Sequence, residues 1–197
     1  MPGHDLDAAV AAVGRGEVVA MPTDTVYGLA CDPADAQAVE RVYALKARPP
    51  DLELTLLAAA LDDLEELVVF DEAARRLAGH FWPGALSVVL PVGTRRVCVP
   101  RAGATLSSRV PDHPLARALL LRTGPLATTS ANRHSEAPAT TAAEVRRTFA
   151  DTIATVLDGG PAAGEPSTII DCTSTPPRVL RHGPISPEAL VRVLEST

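Results

Sequence analysis

Val18-Val19-Ala20-Met21-Pro22-Thr23-Asp24-Thr25-Val26-Tyr27-Gly28-Leu29 is the stretch whose reading decides the fold. Four apolar residues in a row, two of them β-branched, read as a buried strand, and Pro22 closes it. A hydroxyl-bearing loop follows. Upstream, Leu6, Ala9, Val10 and Val13 recur at helical spacing, and Gly14 and Gly16 end that helix. Downstream, Asp35 caps a helix carrying Val39, Val42 and Tyr43. A buried strand with a helix on either side points to an α/β layered domain.

The same alternation runs through the chain. Residues 54–57, 86–92, 97–99, 105–110, 126–129, 155–157, 168–171 and 179–180 read as strands. Residues 62–68, 71–80 and 114–121 read as helices. Thr141-x-x-Glu144 is a capping box opening a further helix, and Ser186-Pro187 opens the last one, with proline at its first position. The short late spacings imply that some strands pair antiparallel. There is no repeat and no linker, so residues 1–197 are expected to form a single domain.

Composition narrows the function. The chain is 46% hydrophobic and only 3% aromatic, so the core must be aliphatic. A net charge of -6 argues against a surface devoted to nucleic acid, though not against a local basic cavity. Cys31, Cys98 and Cys172 are far apart and odd in number, as expected of free thiols in a reducing compartment. The first residues lack the character of a signal peptide, and no apolar run is long enough for a bilayer. A cytoplasmic protein without membrane association is expected. P-loop, kinase, G-x-S-x-G and H-E-x-x-H signatures are absent, and the five histidines are scattered.

What remains is a set of hydroxyls and cations at strand ends. Thr23 and Thr25 follow one strand, and Thr128, Thr129, Ser130 and Asn132 end another. Ser167 opens a third, Arg109 lies late in a strand, and Arg181 follows one. Ligands of α/β sheets collect beyond strand ends. These groups suit a polyanion that also carries hydroxyl or amine groups. Lys46 stands out as the only lysine among eighteen basic residues. Either it is a charge at a helix end, stabilised by the dipole, or it does something a guanidinium cannot.

Several motifs occur together and in order: Pro22 to Leu29, Lys46-Ala47-Arg48-Pro49, Phe81-Trp82-Pro83-Gly84-Ala85-Leu86, Arg109 to Pro114, Ser130-Ala131-Asn132, Pro166-Ser167-Thr168-Ile169 and Leu180-Arg181-His182-Gly183. In this the chain resembles the YrdC-type threonylcarbamoyl-AMP synthases, over about residues 8 to 190. The resemblance implies a twisted mixed sheet with flanking helices around a concave basic cavity. It implies formation of threonylcarbamoyl-AMP and pyrophosphate from L-threonine, bicarbonate or CO2, and ATP; Mg²⁺ with the ATP is expected on general grounds. A separate tRNA threonylcarbamoyl transferase system would use the product to modify adenosine 37 of tRNA, and direct tRNA binding would be weak at most.

By motif, Thr25, Arg109, Thr128 and Ser167 would hold threonine. Arg48, Thr105, Ser130, Asn132 and Arg181 would face ATP, with Lys46 and Arg48 as the catalytic pair. No metal ligand is implied. Leu52-Glu53 departs from the family's usual polar or basic residue followed by proline. That loop is expected either to weaken ATP binding or to lie elsewhere, with Arg133 or another arginine supplying the contact. A non-catalytic RNA-binding module of the same fold is the competing reading.

Overall fold

The structure, a computed structural model, describes residues 2–47, 49, 52–99, 104–149 and 152–195, without the side chains of 2–4. Its frame is a mixed sheet of nine strands among those residues, in the order β7-β1-β2-β6-β3-β5-β4-β8-β9. The strands are β1 (Val19–Met21), β2 (Gly28–Cys31), β3 (Thr55–Leu57), β4 (Leu86–Pro91), β5 (Thr105–Arg109), β6 (Leu126–Ser130), β7 (Thr155–Val156), β8 (Thr168–Asp171) and β9 (Arg178–Arg181). The pairs β1–β7, β3–β5 and β4–β8 are parallel and the other five antiparallel. Six helices flank it among the described residues: α1 (Pro2–Gly14), α2 (Ala36–Lys46), α3 (Glu72–Phe81), α4 (Pro114–Thr123), α5 (Ala142–Phe149) and α6 (Pro187–Glu195).

The helices begin where their caps dictate. Asp35 accepts from the backbone N–H groups of Gln37 and Ala38, and Asp71 from Ala74. The Thr141–Glu144 box closes reciprocally: Glu144 N–H donates to Thr141 Oγ1, and the Glu144 carboxylate accepts from Thr141 N–H.

Side chains alternate across each strand. Leu56, Leu86, Val88, Leu90, Leu106 and Ile170 enter a large aliphatic core with residues of α2, α3, α5 and α6. On the opposite face, Val19, Met21, Ala30, Leu57 and Leu126 pack with α1 and α4. Those two helices cover only part of that face.

Three segments depart from expectation. Residues 62–68 make only a 3-10 turn at Asp62–Leu64. Their apolar spacing mimics a helix, but Val69 N–H donates to Pro91 O and Gly93 N–H to Leu67 O, so backbone pairing with the end of β4 wins. Residues 97–99 form no strand, and Cys98 N–H donates instead to Pro33 O at 2.7 Å. Gly28 and Leu29, expected at the end of the loop, begin a strand, Gly28–Cys31, held between β1 and β6.

Candidate active site

The uncovered part of the second face is a cavity of about 510 Å³. Its floor follows from strand parity. Ser87, Ser107 and Arg109 alternate with inward-facing buried residues of β4 and β5, Thr55 and Leu57 do so in β3, and the end of β6 contributes Thr128, Thr129 and Ser130. Thr55 pairs in register with both Thr128 and Ser107, so three hydroxyls lie in one row across the sheet. Thr55 Oγ1 donates to Ser107 Oγ at 3.2 Å. The walls include the loop after β1, Leu52 and Glu53 before β3, Pro138, and Pro166 and Ser167 before β8.

The loop after β1 builds one end of the cavity. Thr23 donates its hydroxyl proton to Val26 O at 2.6 Å and accepts from the backbone N–H groups of Thr25 and Val26, a local turn that side-chain hydroxyls favour. With that proton committed, the 2.9 Å contact between the two threonine hydroxyls has Thr25 as donor. Thr25 Oγ1 in turn accepts from Arg109 Nη1 at 2.9 Å. Arg109 also donates through Nε to Gly84 O at 2.8 Å and through Nη2 to Asp24. The guanidinium is thus fixed on three sides while other donors of its fork remain. Asp24 further accepts from Asp112 N–H at 3.0 Å, joining this loop to the turn after β5.

The other end is built from β8 and β9. Arg181 donates to Ser167 O at 3.0 Å and to Ser167 Oγ at 3.1 Å, and Ser167 Oγ meets Ser87 Oγ at 2.9 Å. Gly183 allows the close approach. A Cβ there would lie 2.5 Å from both Pro166 O and Thr168 N. Burial lowers the pKa of both arginines. For Arg109 burial outweighs the attraction of Asp24, and the charge of Arg181 lowers it further. Arg181 is exposed as a residue although its guanidinium feels this burial. Two cations that oppose one another in one cavity are both stabilised by an anion placed with them.

Six of the residues expected in the site line this cavity: Thr25, Arg109, Thr128, Ser130, Ser167 and Arg181. Thr105 shares the face of Ser107 and Arg109 but stands outside the lining. Lys46 and Asn132 also stand outside it, both buried. The Lys46 ammonium donates to Ser130 O, to Asn132 O at 2.7 Å and to Asn132 Oδ1 at 3.0 Å. Arg48, the other half of the Lys-x-Arg signature, lies outside the described residues.

Leu52 and Glu53 line the cavity, and Tyr43 Oη donates to Leu52 O at 2.8 Å. Arg133 is exposed and not in the lining. Sequence reasoning passed over Thr55, Ser87, Ser107 and the orienting Asp24. The alternation Leu86-Ser87-Val88 within an otherwise apolar strand was the available signal. Among the described residues no three His, Cys, Asp or Glu side chains group to hold a metal ion, and no helix is long and apolar enough to cross a membrane.

A family model named for Sua5, YciO and YrdC, described as "Telomere recombination", matches residues 11–183. A threonylcarbamoyl-AMP synthase of Chromohalobacter salexigens is 42% identical over 170 residues, covering 84% of this chain and 91% of the relative. The threonylcarbamoyl-AMP synthase of Bacillus subtilis is 39% identical over 192 residues, covering 94% of this chain, which spans 55% of that relative's length. In three dimensions the chain superposes on Pyrococcus abyssi Sua5 complexed with L-threonine with a TM-score of 0.92 and 36% identity, covering 99% of this chain and 58% of the other.

Proposed function

Because the chain belongs to the Sua5, YciO and YrdC family, we propose that it acts as a threonylcarbamoyl-AMP synthase, a nucleotidyl transferase joining L-threonine, bicarbonate or CO2, and ATP. The observation that carries this reading is a hydroxyl-floored cavity lined by both Arg109 and Arg181.

The chemistry follows from the charges. The carboxylate of threonine seats against Arg109, already oriented by Asp24, Thr25 and Gly84 O. Thr128 and Ser167 supply hydroxyls for its polar groups. The unprotonated amine attacks CO2, forming a C–N bond and releasing a proton, to give a carbamate. A carbamate oxygen then attacks the α-phosphorus of ATP, the bond to the β-phosphate oxygen breaks, and pyrophosphate leaves. Anions must be brought together, so orientation and cationic stabilisation by Arg181, and by Arg48 of the Lys-x-Arg signature, supply most of the rate. Thr105, Ser130 and Asn132 belong to the nucleotide side. No protein nucleophile is needed. Mg²⁺ would accompany ATP as part of the substrate and would offset part of the phosphate charge.

The product feeds a separate transferase acting on tRNA in the cytoplasm. An RNA-binding module is disfavoured. The exposed large apolar side chains among the described residues are Leu52, Val69, Leu121, Leu180 and Val191, none of them aromatic. The test is pyrophosphate release from ATP by the purified protein alone. Release should require both L-threonine and bicarbonate. Equal release with L-serine, or none without added partners, would overturn the proposal.

A further inference from the structure

Lys46 is the chain's only lysine and is 1% exposed. It ends α2, and Ala47 then turns left-handed at φ 51°. A buried ammonium is tolerated only where its N–H groups find acceptors. Among the described residues its N–H groups meet three oxygens of carbonyl or amide type: Ser130 O, Asn132 O and Asn132 Oδ1. Asn132 is held from its other side as well. Its Oδ1 accepts from Ser130 Oγ at 2.6 Å, and its Nδ2 donates to Arg133 O at 2.9 Å and Glu136 O at 2.7 Å. His134 N–H donates to Lys46 O at 2.8 Å. The turn that leaves β6 is therefore folded around the end of α2. Of these residues only Ser130 lines the cavity.

We infer that Lys46 is a positioning residue for the nucleotide: its ammonium fixes the exit of β6, and through it the hydroxyl of Ser130, without touching substrate itself. This rests on the reading of the cavity as the site of ATP and threonine. A planar guanidinium cannot present three donors to converging oxygens in this way. Thr128, two residues earlier, is held on both sides, paired with Ala30 of β2 and Thr55 of β3, whereas Ser130 pairs with Gly28 of β2 alone. Threonine binding therefore depends little on Lys46, and ATP binding depends on it strongly.

Two measurements test this. The first needs no variant: amine-selective acylation of the native protein, mapped by peptide mass with and without ATP. The N-terminus is labelled and Lys46 is not, in either case, until the protein is unfolded. Native labelling of Lys46 that ATP suppresses would overturn the inference, because it puts the ammonium at the ligand. The second is calorimetric titration with ATP, and separately with L-threonine, of the unmodified protein, Lys46→Met, Ser130→Ala and the double variant. Lys46→Met weakens ATP binding about tenfold or more, a loss of at least about 1.4 kcal/mol, and leaves threonine binding within about twofold. The double variant binds ATP no more weakly than Lys46→Met alone. Additive losses would mean that ammonium and hydroxyl act separately on the ligand, and the inference falls. An unmodified protein that binds threonine and not ATP overturns this role together with the nucleotide half of the functional reading. One that binds ATP while the losses add overturns this role alone.

Discussion

Replacing Asp24 by asparagine isolates what the Arg109–Asp24 pair contributes. The two side chains are 6% and 18% exposed. Breaking a fully buried pair by removing one partner costs about 3–5 kcal/mol. The loss here is smaller for two reasons: the amide oxygen of asparagine still accepts, and Arg109 keeps its bonds to Gly84 O and Thr25 Oγ1. What disappears is the charge of one charge-assisted hydrogen bond, about 1.5–3 kcal/mol. For a chain of this length each kcal/mol moves the Tm by about 2–4 °C, so the variant should melt roughly 3–12 °C lower. Scanning calorimetry with and without saturating L-threonine is the assay. The threonine carboxylate returns a negative charge to Arg109, so threonine should raise the Tm of Asp24→Asn more than that of the unmodified protein. An unchanged Tm would refute the contribution of the pair. A smaller threonine response in the variant would refute the placement of the carboxylate.

Other outcomes follow from the same geometry. Ser108 is fully buried in the larger core and its Oγ finds no hydrogen-bond partner among the described residues, so Ser108→Ala should raise stability to denaturant by about 1 kcal/mol, and a loss of stability would show a partner. A Cβ on Gly28 would lie 2.7 Å from Thr128 Cγ2, so Gly28→Ala should destabilise by about 1–3 kcal/mol and weaken threonine binding in calorimetry. Unaltered threonine affinity would separate Thr128 from the site. Burial pushes the thiols of Cys31 and Cys172 up to about 12. A raised thiol pKa keeps the unreactive protonated form, so at pH 8 iodoacetamide should modify only the exposed Cys98 of the native protein, as read by mass mapping. Labelling of all three without unfolding would contradict that burial.

The parts of this fold that were legible in the sequence are those written locally. Asp35, Asp71, the Thr141–Glu144 box and Ser186-Pro187 mark helix starts through bonds within a few residues. Thr25, Arg109, Thr128, Ser167 and Arg181 were legible through motif order, and all of them reach the cavity. What stayed hidden depends on distant partners. Gly28–Cys31 carries little strand propensity and becomes a strand because β1 and β6 flank it. Residues 62–68 have helical spacing, but their later part is claimed by the end of β4. The position of Lys46 at a helix end was visible, but the direction of its ammonium was not. That is decided by oxygens of residues 130 and 132, far along the chain. The role of Ser87 and Ser107 needed the knowledge of which strand face α1 and α4 leave open.

The most direct measurement of the central claim is the product itself. The purified protein is incubated with ATP, L-threonine and ¹³C-bicarbonate, and the mixture is resolved by mass spectrometry. The account predicts an adduct of threonine and AMP that carries the isotopic carbon, formed in step with pyrophosphate. Release of pyrophosphate with no labelled adduct, or an adduct that forms equally without bicarbonate, would contradict it.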